Sequence, residues 1–156
     1  MKRIVVIGAG GFIGSHLVRK LSSLGNYVIG IDIKFPEFSS TAANEFHKLD
    51  ATNYKHLNKS IDENVDEIYQ LAADMGGAGY IFTGDNDLNV MLNSATINLN
   101  VTRIIKEKNI PMVFFSSSAC IYPEHNQMDA DNPNCEESSA YPANHPPIVT
   151  GKHLNL

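Results

Sequence analysis

The chain has 156 residues, of which 43% are hydrophobic and 19% charged, and its formal net charge is −5. This length suits one domain with a single core, and the acidic balance gives no footprint for nucleic acid or an anionic membrane. No apolar run approaches the ~20 residues that span a bilayer, and the sequence begins in a strand-like run rather than a signal peptide. The two cysteines, Cys120 and Cys135, lack the spacing of a metal site. We expect a cytoplasmic protein without a metal.

The first 32 residues combine a strand, a glycine-rich turn, a helix and a second strand. The apolar run 3–7 indicates the first strand, and helical spacing over 15–24 indicates the helix. A second apolar run, 26–31, stops at Asp32. The turn between the first strand and the helix has the spacing Gly-x-x-Gly-x-x-Gly over residues 8–14.

This arrangement is typical of a dinucleotide site. Gly8 permits the tight turn, Gly11 lets backbone N–H groups approach a pyrophosphate, and Gly14 lets the helix lie close to the sheet. Asp32 lies where a carboxylate accepts hydrogen bonds from the adenosine ribose, and its charge repels a 2′-phosphate. A turn without a ligand would explain the glycines alone, but not the acid in its required place. The sequence therefore predicts NAD as cofactor.

Strands and helices continue to alternate up to residue 115. Strands are predicted at 45–50, 66–73 and 111–115, and helices at 54–60 and 86–108, with a loop of four glycines over 74–84. Such alternation predicts an α/β fold, here a partial Rossmann-like, doubly wound parallel sheet in the order 3-2-1-4. Ligands of these sheets bind beyond the carboxyl ends of the strands.

The amino-acid composition changes at residue 124. From there the sequence is polar and rich in proline, and it shows no strand or helix of useful length. We therefore expect an NAD-binding Rossmann half over residues 1–123 and an irregular tail over 124–156, without a substrate domain.

Two later segments are much more specific to one group of proteins than the glycine turn is. They read Ala72-Ala73-Asp74-Met75-Gly76-Gly77-Ala78-Gly79 and Ser117-Ser118-Ala119-Cys120-Ile121-Tyr122-Pro123-Glu124. Both closely resemble the GDP-mannose 3,5-epimerase group of the NAD-dependent epimerase/dehydratase family, within the extended short-chain dehydrogenases/reductases. The resemblance runs from about Lys2 to about Asn144.

The resemblance implies a nucleotide-sugar epimerase that acts on a substrate of the GDP-mannose type. Bound NAD transiently oxidises C4 of the sugar, which acidifies the protons at C3 and C5, and an acid/base pair then inverts those centres before the hydride returns. Among the catalytic residues, Ser118 would hydrogen-bond the sugar and Cys120 would be one of the acid/base groups.

The same resemblance implies where cofactor and substrate bind. Asp50 would face the adenine, and Leu71 to Ala73 would line the nicotinamide side. The substrate residues would be Gly76, Ser118, Ala119 and Cys120. The cofactor residues would be Gly8, Gly11, Phe12, Ile13, Gly14, Asp32, Asp50, Leu71, Ala72 and Ala73. The oligomeric state stays open, a homodimer included, because the family dimerises largely through helices of which only the one at 86–108 is present here.

Without the resemblance, several of these residues keep ordinary structural interpretations. A serine at a strand end is commonly a cap, and an isolated cysteine is usually a small buried hydrophobe. Asp50 could cap the following helix through Thr52, and Asn98 could hydrogen-bond a strand end or be exposed. His16 fits packing or the surface better than catalysis.

The sequence departs from the family where a Tyr-x-x-x-Lys pair is expected to deprotonate the C4 hydroxyl and hold the nicotinamide ribose. Tyr141 is followed four residues later by His145, and Lys152 is preceded by Ile148. Our hypothesis is a frameshift near codon 145 followed by a premature stop. We therefore expect this truncated chain to be inactive, and strand 4 to be an exposed edge with an uncovered apolar face.

Two other functions stay open. Another family member, such as a sugar 4-epimerase or a 4,6-dehydratase, usually carries Thr or Ser where Ala119 and Cys120 lie. A module of a different class would bind NAD or a partner subunit without chemistry.

Overall fold

A computed structural model of the chain describes residues 1–81, 83–117, 121–131 and 135–140. Within these ranges there are five strands: β1 (Arg3–Ile7), β2 (Tyr27–Asp32), β3 (Glu45–Lys48), β4 (Glu67–Gln70) and β5 (Met112–Phe115). The α-helices are α1 (Phe12–Ser23), α2 (Tyr54–Ser60), α3 (Ala78–Ile81) and α4 (Asp87–Lys108), and two 3₁₀ turns follow at Glu124–Asn126 and Glu137–Ala140. None of the helices in these ranges is long and apolar enough to cross a membrane.

The five strands form one parallel sheet in the order β3-β2-β1-β4-β5. Val5 of β1 pairs with Ile29 on one side and with Ile68 on the other. The predicted α/β fold with a partial Rossmann-like sheet is confirmed, and β5 adds a fifth strand to the predicted order.

The predicted position of the exposed edge was wrong. Ile68 of β4 pairs with Val113, so β5 and not β4 is the last strand on that side. The four residues of β5 are each 44–47% exposed. The short apolar run Met112–Phe115 is sufficient to pair with β4, and this moves the uncovered edge outward by one strand.

The chain forms two compact units. The first comprises Met1–Asp74 and Leu92–Ser116, and the second comprises Met75–Met91 and Ser117–Leu156. The first unit contains the whole sheet with α1, α2 and most of α4, whereas the described part of the second contains α3 and the two 3₁₀ turns.

The central strands β1 and β2 are buried on both faces of the sheet, which explains why they read as apolar runs. Ile4 and Val6 of β1 pack on one face with Val18 and Leu21 of α1. Val5 and Ile7 of β1 point to the other face. There they pack with apolar side chains of α2, α4 and the residues that follow these helices: Leu57, Ile61, Ile97, Val101, Ile104 and Ile110.

Two local differences from the predicted elements affect the site. Helix α1 begins at Phe12 rather than at 15, because Gly11 is its N-cap and Gly14 is tolerated in the first turn. The glycine-rich segment 74–84 contains the short helix α3, which its low helix propensity does not predict.

Candidate functional site

The glycine turn after β1 is wedged between the ends of two neighbouring strands. Its first residue, Gly8, has φ +91°, a conformation that glycine adopts without strain. A Cβ on Gly8 would lie 2.8 Å from the backbone nitrogen of Ala72, beyond β4. On the opposite side the Gly8 N–H donates to the carbonyl of Ile31 in β2 at 2.8 Å. The turn therefore has a fixed place between β2 and β4.

Close backbone packing continues through the turn. A Cβ on Gly14 would overlap the carbonyl oxygen of Gly8, so helix α1 packs directly on the glycine turn. A Cβ on Gly10 would overlap the carbonyl oxygen of Lys34 and lie 3.0 Å from Cγ of Asp32. Sequence reasoning missed Gly10, although its position directly before Gly11 was an available signal. Gly11 has more room, since its Cβ would meet only the Gly8 carbonyl, at 3.4 Å.

The first turn of α1 offers backbone donors without a side chain to receive them. Gly11 caps the helix with no side-chain hydrogen bond, and the first turn contains no acidic residue. The side chains of Phe12 and Ile13 are 79% and 69% exposed. The first N–H groups of a helix have no partner within it and carry the positive end of the helix dipole. This helix end is therefore suited to an anion such as a phosphate.

Asp32 lies beside this helix end. Its Oδ2 accepts a hydrogen bond from the Gly10 N–H at 2.8 Å, and its Oδ1 accepts one from the Lys34 N–H at 3.1 Å. A carboxylate has about four acceptor positions. Two backbone donors can therefore orient the half-buried Asp32 side chain and still leave it capacity for the hydroxyls of a ligand.

Asp50 follows β3 and is exposed. Its Oδ1 accepts hydrogen bonds from both the N–H and the hydroxyl of Thr52, each at 2.8 Å, which makes a local Asx turn. The cap of α2 is instead Asn53, whose side chain accepts from the His56 N–H. Asp50 therefore does not cap α2 through Thr52; the two residues form a turn directly before the N-cap Asn53.

Residues 71–73 leave the sheet beyond β4, on the other side of the glycine turn from Asp32. The Leu71 N–H donates to the Ile7 carbonyl at 2.9 Å and prolongs the pairing with β1. The side chain of Gln70 donates to Asn98 of α4 at 2.9 Å. The interpretation of Asn98 as a partner of a strand end is confirmed. His16 is exposed, and its ring contacts Phe12 edge-on, in keeping with a surface position.

The first unit thus brings together the glycine turn, Asp32 and residues 71–73 at the carboxyl edge of the sheet. Gly76 belongs to the second unit, where a Cβ on it would clash with the Tyr80 side chain at 2.6 Å. Ser118, Ala119 and Cys120 lie outside the described residues. Among the residues that the structure describes, no group of three or more His, Cys, Asp or Glu side chains could hold a metal ion.

Two polar side-chain pairs of the first unit lie at the opposite, amino end of the strands. The ammonium of Lys2 pairs with the buried carboxylate of Glu67, and this hydrogen bond raises the pKa of Lys2. The Tyr27 hydroxyl donates to Glu45 at 2.5 Å, which raises the pKa of Tyr27. These pairs join the starts of neighbouring strands, so their role is structural.

The sequence matches the family model described as the NAD dependent epimerase/dehydratase family over residues 4–146. The chain belongs to this epimerase/dehydratase family. It is 40% identical over 143 residues to GDP-mannose 3,5-epimerase of Arabidopsis thaliana, in an alignment that covers 90% of this chain and 37% of that protein. The predicted resemblance is therefore confirmed, and the chain spans little more than a third of the length of that relative.

Solved structures of the epimerase/dehydratase type have the same fold. A UDP-glucose 4-epimerase superposes with a TM-score of 0.69 at 26% identity, covering 79% of this chain and 37% of that one. A UDP-galactose 4-epimerase superposes with a TM-score of 0.60 at 31% identity, covering 77% of this chain and 39% of that one.

Proposed function

We propose that this chain binds NAD at the carboxyl edge of its sheet. The observation that carries the proposal is the Asp32 carboxylate, held by the Gly10 N–H directly beside the uncapped N-terminus of α1. The pyrophosphate binds the first N–H groups of α1, and the adenosine ribose binds Asp32. The adenine extends toward Asp50 beyond β3.

The nicotinamide half of the dinucleotide lies over residues 71–73. The strand order supports this placement, because β2 with Asp32 is on one side of β1 and β4 is on the other. Once the adenosine ribose occupies the β2 side, the other half must cross the glycine turn toward β4. The charge of Asp32 favours NAD over NADP, since a 2′-phosphate would meet a carboxylate.

The activity that we propose for a protein carrying this region is epimerisation of a nucleotide sugar of the GDP-mannose type. Support comes from the 40% identity to the Arabidopsis thaliana GDP-mannose 3,5-epimerase and from the segment Ser118-Ala119-Cys120. Bound NAD supplies the hydride acceptor. Ser118 would position the sugar hydroxyl, and the Cys120 thiol would exchange a proton with a sugar carbon.

The 156-residue polypeptide itself binds NAD without turnover. No tyrosine in the sequence is followed by a lysine four residues later, so the sequence supplies no such pair to take the proton from the sugar hydroxyl. We assign the NAD-binding half to residues 1–123; of the predicted irregular tail over 124–156, residues 132–134 and 141–156 lie outside the described residues.

We also propose a homodimer contact on α4. Leu92 and Leu99 are 56% and 70% exposed and lie seven residues apart, about two turns of the helix. At 100° per residue this stripe lies about 140° around the helix from the buried stripe of Ile97 and Ile104. A second copy of the helix would cover it.

Isothermal titration calorimetry with NAD, followed by incubation with GDP-mannose, tests the proposal. We expect saturable 1:1 binding of NAD, and no uptake of deuterium from D₂O at C3 or C5 of the sugar by proton NMR. Absence of NAD binding by the folded chain would overturn the cofactor assignment, and deuterium uptake would overturn the absence of turnover.

A further inference from the structure

The last residue of β4, Gln70, is a polar side chain that is only 2% exposed. Its Nε2 donates to the carbonyl of Ala72 at 2.7 Å and to Oδ1 of Asn98 at 2.9 Å. Its Oε1 accepts from the N–H of Ala72 at 3.3 Å. Burying an amide without hydrogen-bond partners is strongly unfavourable. Here both N–H groups and the carbonyl of the amide are bonded.

These bonds fix the path of the chain where it leaves the sheet. Both backbone groups of Ala72 are taken up by one side-chain amide two residues earlier, which closes a ring over the strand end. The neighbouring Leu71 N–H remains bonded to β1 at the Ile7 carbonyl. Gly8 packs against the same backbone from the glycine turn. The exit of β4 is thus ordered by the protein alone.

Ala72 and Asn98 together fix the orientation of the Gln70 amide. The Ala72 carbonyl and the Asn98 Oδ1 each accept one N–H of the amide, and the amide carbonyl receives the Ala72 N–H. With the amide reversed, its oxygen would face the oxygens of Ala72 and Asn98, and its NH₂ group would face the Ala72 N–H. Asn98 of helix α4 therefore reinforces the hydrogen-bonding pattern at the strand exit and provides the partner of the second amide N–H.

We propose that Gln70 and Asn98 are positioning residues for the nicotinamide ring, acting through the backbone of residues 71–73. The proposal rests on the proposed binding of NAD, and it identifies the two side chains that hold the nicotinamide half of that site in place before NAD binds. Because the backbone at 71–73 is already held, the ring meets a rigid surface and little ordering entropy is lost on binding.

The same helix provides a matched control at the other end of the dinucleotide. Asn100, two residues after Asn98, donates its Nδ2 to the carbonyls of Ala51 and Thr52 at 3.0 and 2.8 Å. It holds the loop after β3, beside Asp50 on the adenosine side. A substitution there removes two hydrogen bonds between α4 and a loop without touching the exit of β4.

The test compares NAD with ADP-ribose, which lacks only the nicotinamide ring, by calorimetry on the full chain and on three variants. Asn98→Leu should weaken NAD about tenfold, the effect of losing roughly one hydrogen bond, and change ADP-ribose less than about twofold on the same scale. Asn98→Asp keeps the acceptor for Gln70 and should recover most of the NAD affinity. Asn100→Leu should weaken both ligands equally.

An equal loss for both ligands in Asn98→Leu would show a merely structural role and overturn the positioning proposal alone. A parent chain that binds neither ligand would overturn the proposed function, and the positioning role with it. Amide exchange in the ligand-free parent gives an independent measurement that needs no variant to fold. We expect slow exchange at the Ala72 N–H before NAD is added, and exchange at the rate of an unstructured peptide would overturn the proposal.

Discussion

The carboxylate of Asp32 accepts a hydrogen bond from the backbone N–H of Gly10 at 2.8 Å. This bond joins the end of β2 to the turn after β1, across 22 residues of sequence. A Cβ on Gly10 would lie 3.0 Å from Cγ of the same carboxylate, so the carboxylate can approach this closely because residue 10 has no side chain. The acid that we assign to the ribose is therefore oriented by the turn that we assign to the pyrophosphate.

Replacing Asp32 by asparagine should weaken NAD binding and reduce the discrimination against NADP. The amide keeps the shape of the side chain, but it loses the charge and one acceptor. Hydrogen bonds to charged groups contribute about 1.5–3 kcal/mol, which corresponds to roughly 10- to 100-fold in affinity. Calorimetry with NAD and NADP measures both effects, and Asp85→Asn, an exposed acid, is the control. Unchanged affinity for NAD in Asp32→Asn would contradict the ribose assignment.

Replacing Gly10 by alanine should destabilise the first unit and abolish NAD binding. The added Cβ would overlap the Lys34 carbonyl and push against Asp32, and both partners are held by the backbone around them. Overpacking costs about 1–3 kcal/mol, or a Tm lower by roughly 3–10 °C in a chain of this size. Thermal unfolding measures it, with Gly77→Ala as control, where a Cβ meets nothing within 4 Å. Equal Tm values in the two variants would contradict this packing.

Charge placed on the exposed stripe of α4 should separate the proposed homodimer. We expect the parent chain to run at twice its mass of 17.1 kDa in light scattering, and Leu99→Glu to run as a monomer. Leu99 is 70% exposed, so the substitution does not disturb the core. Leu24→Glu, at a 63% exposed leucine after α1, should leave the dimer intact. A parent chain that is monomeric at high concentration would refute the dimer.

The contact between Tyr54 and Glu107 should stabilise the fold only at intermediate pH. The Tyr54 hydroxyl donates to Glu107, which also accepts from Nε of Arg103 at 2.8 Å. The bond from Tyr54 lowers the pKa of Glu107, and the same bond raises the pKa of Tyr54. The guanidinium of Arg103 lies over the Tyr54 ring, 4.1 Å from its centroid.

The two pKa shifts set an acidic and an alkaline limit to the pH range in which this contact stabilises the fold. A lowered carboxyl pKa contributes stability that is present above its unfolded value of about 4.3 and is lost as pH falls through the folded pKa. A raised phenol pKa contributes stability that is present below its unfolded value of about 10 and is lost as pH rises through the folded pKa. We expect the Tm difference between the parent and Tyr54→Phe to be largest between about pH 5 and 9. A difference that stays constant from acid to alkaline pH would contradict the assignment.

The sheet could be predicted because its strands carry their signal locally. Buried parallel strands read as apolar runs, and β1 and β2 both do so. The place of β5 was harder, because four apolar residues do not reveal which neighbour they pair with. The start of α1 was misplaced by three residues, since Gly14 in its first turn has low helix propensity and is kept for packing.

The site could be predicted in part for the same reason. Glycine spacing and the acid after β2 are patterns along the chain, so the sequence indicated that Gly8, Gly14 and Asp32 lie at the carboxyl edge of the sheet, and their role in binding NAD stays a prediction. The bond from Gln70 to Asn98 joins residues 28 positions apart, and no local pattern indicates it. Gly10 was missed because its need for a bare backbone comes from Lys34, in a loop after a different strand.

The most direct test of the account is an NMR titration of the ¹⁵N-labelled chain with NAD. We predict the largest amide shift changes at residues 10–14, at Lys34 beside the carboxylate, and at residues 71–73 beyond β4. The amides of β5 should not move, because that strand lies at the edge of the sheet beyond β4. Saturating changes confined to other residues, or no change at the glycine turn, would contradict the assignment of this edge as the NAD site.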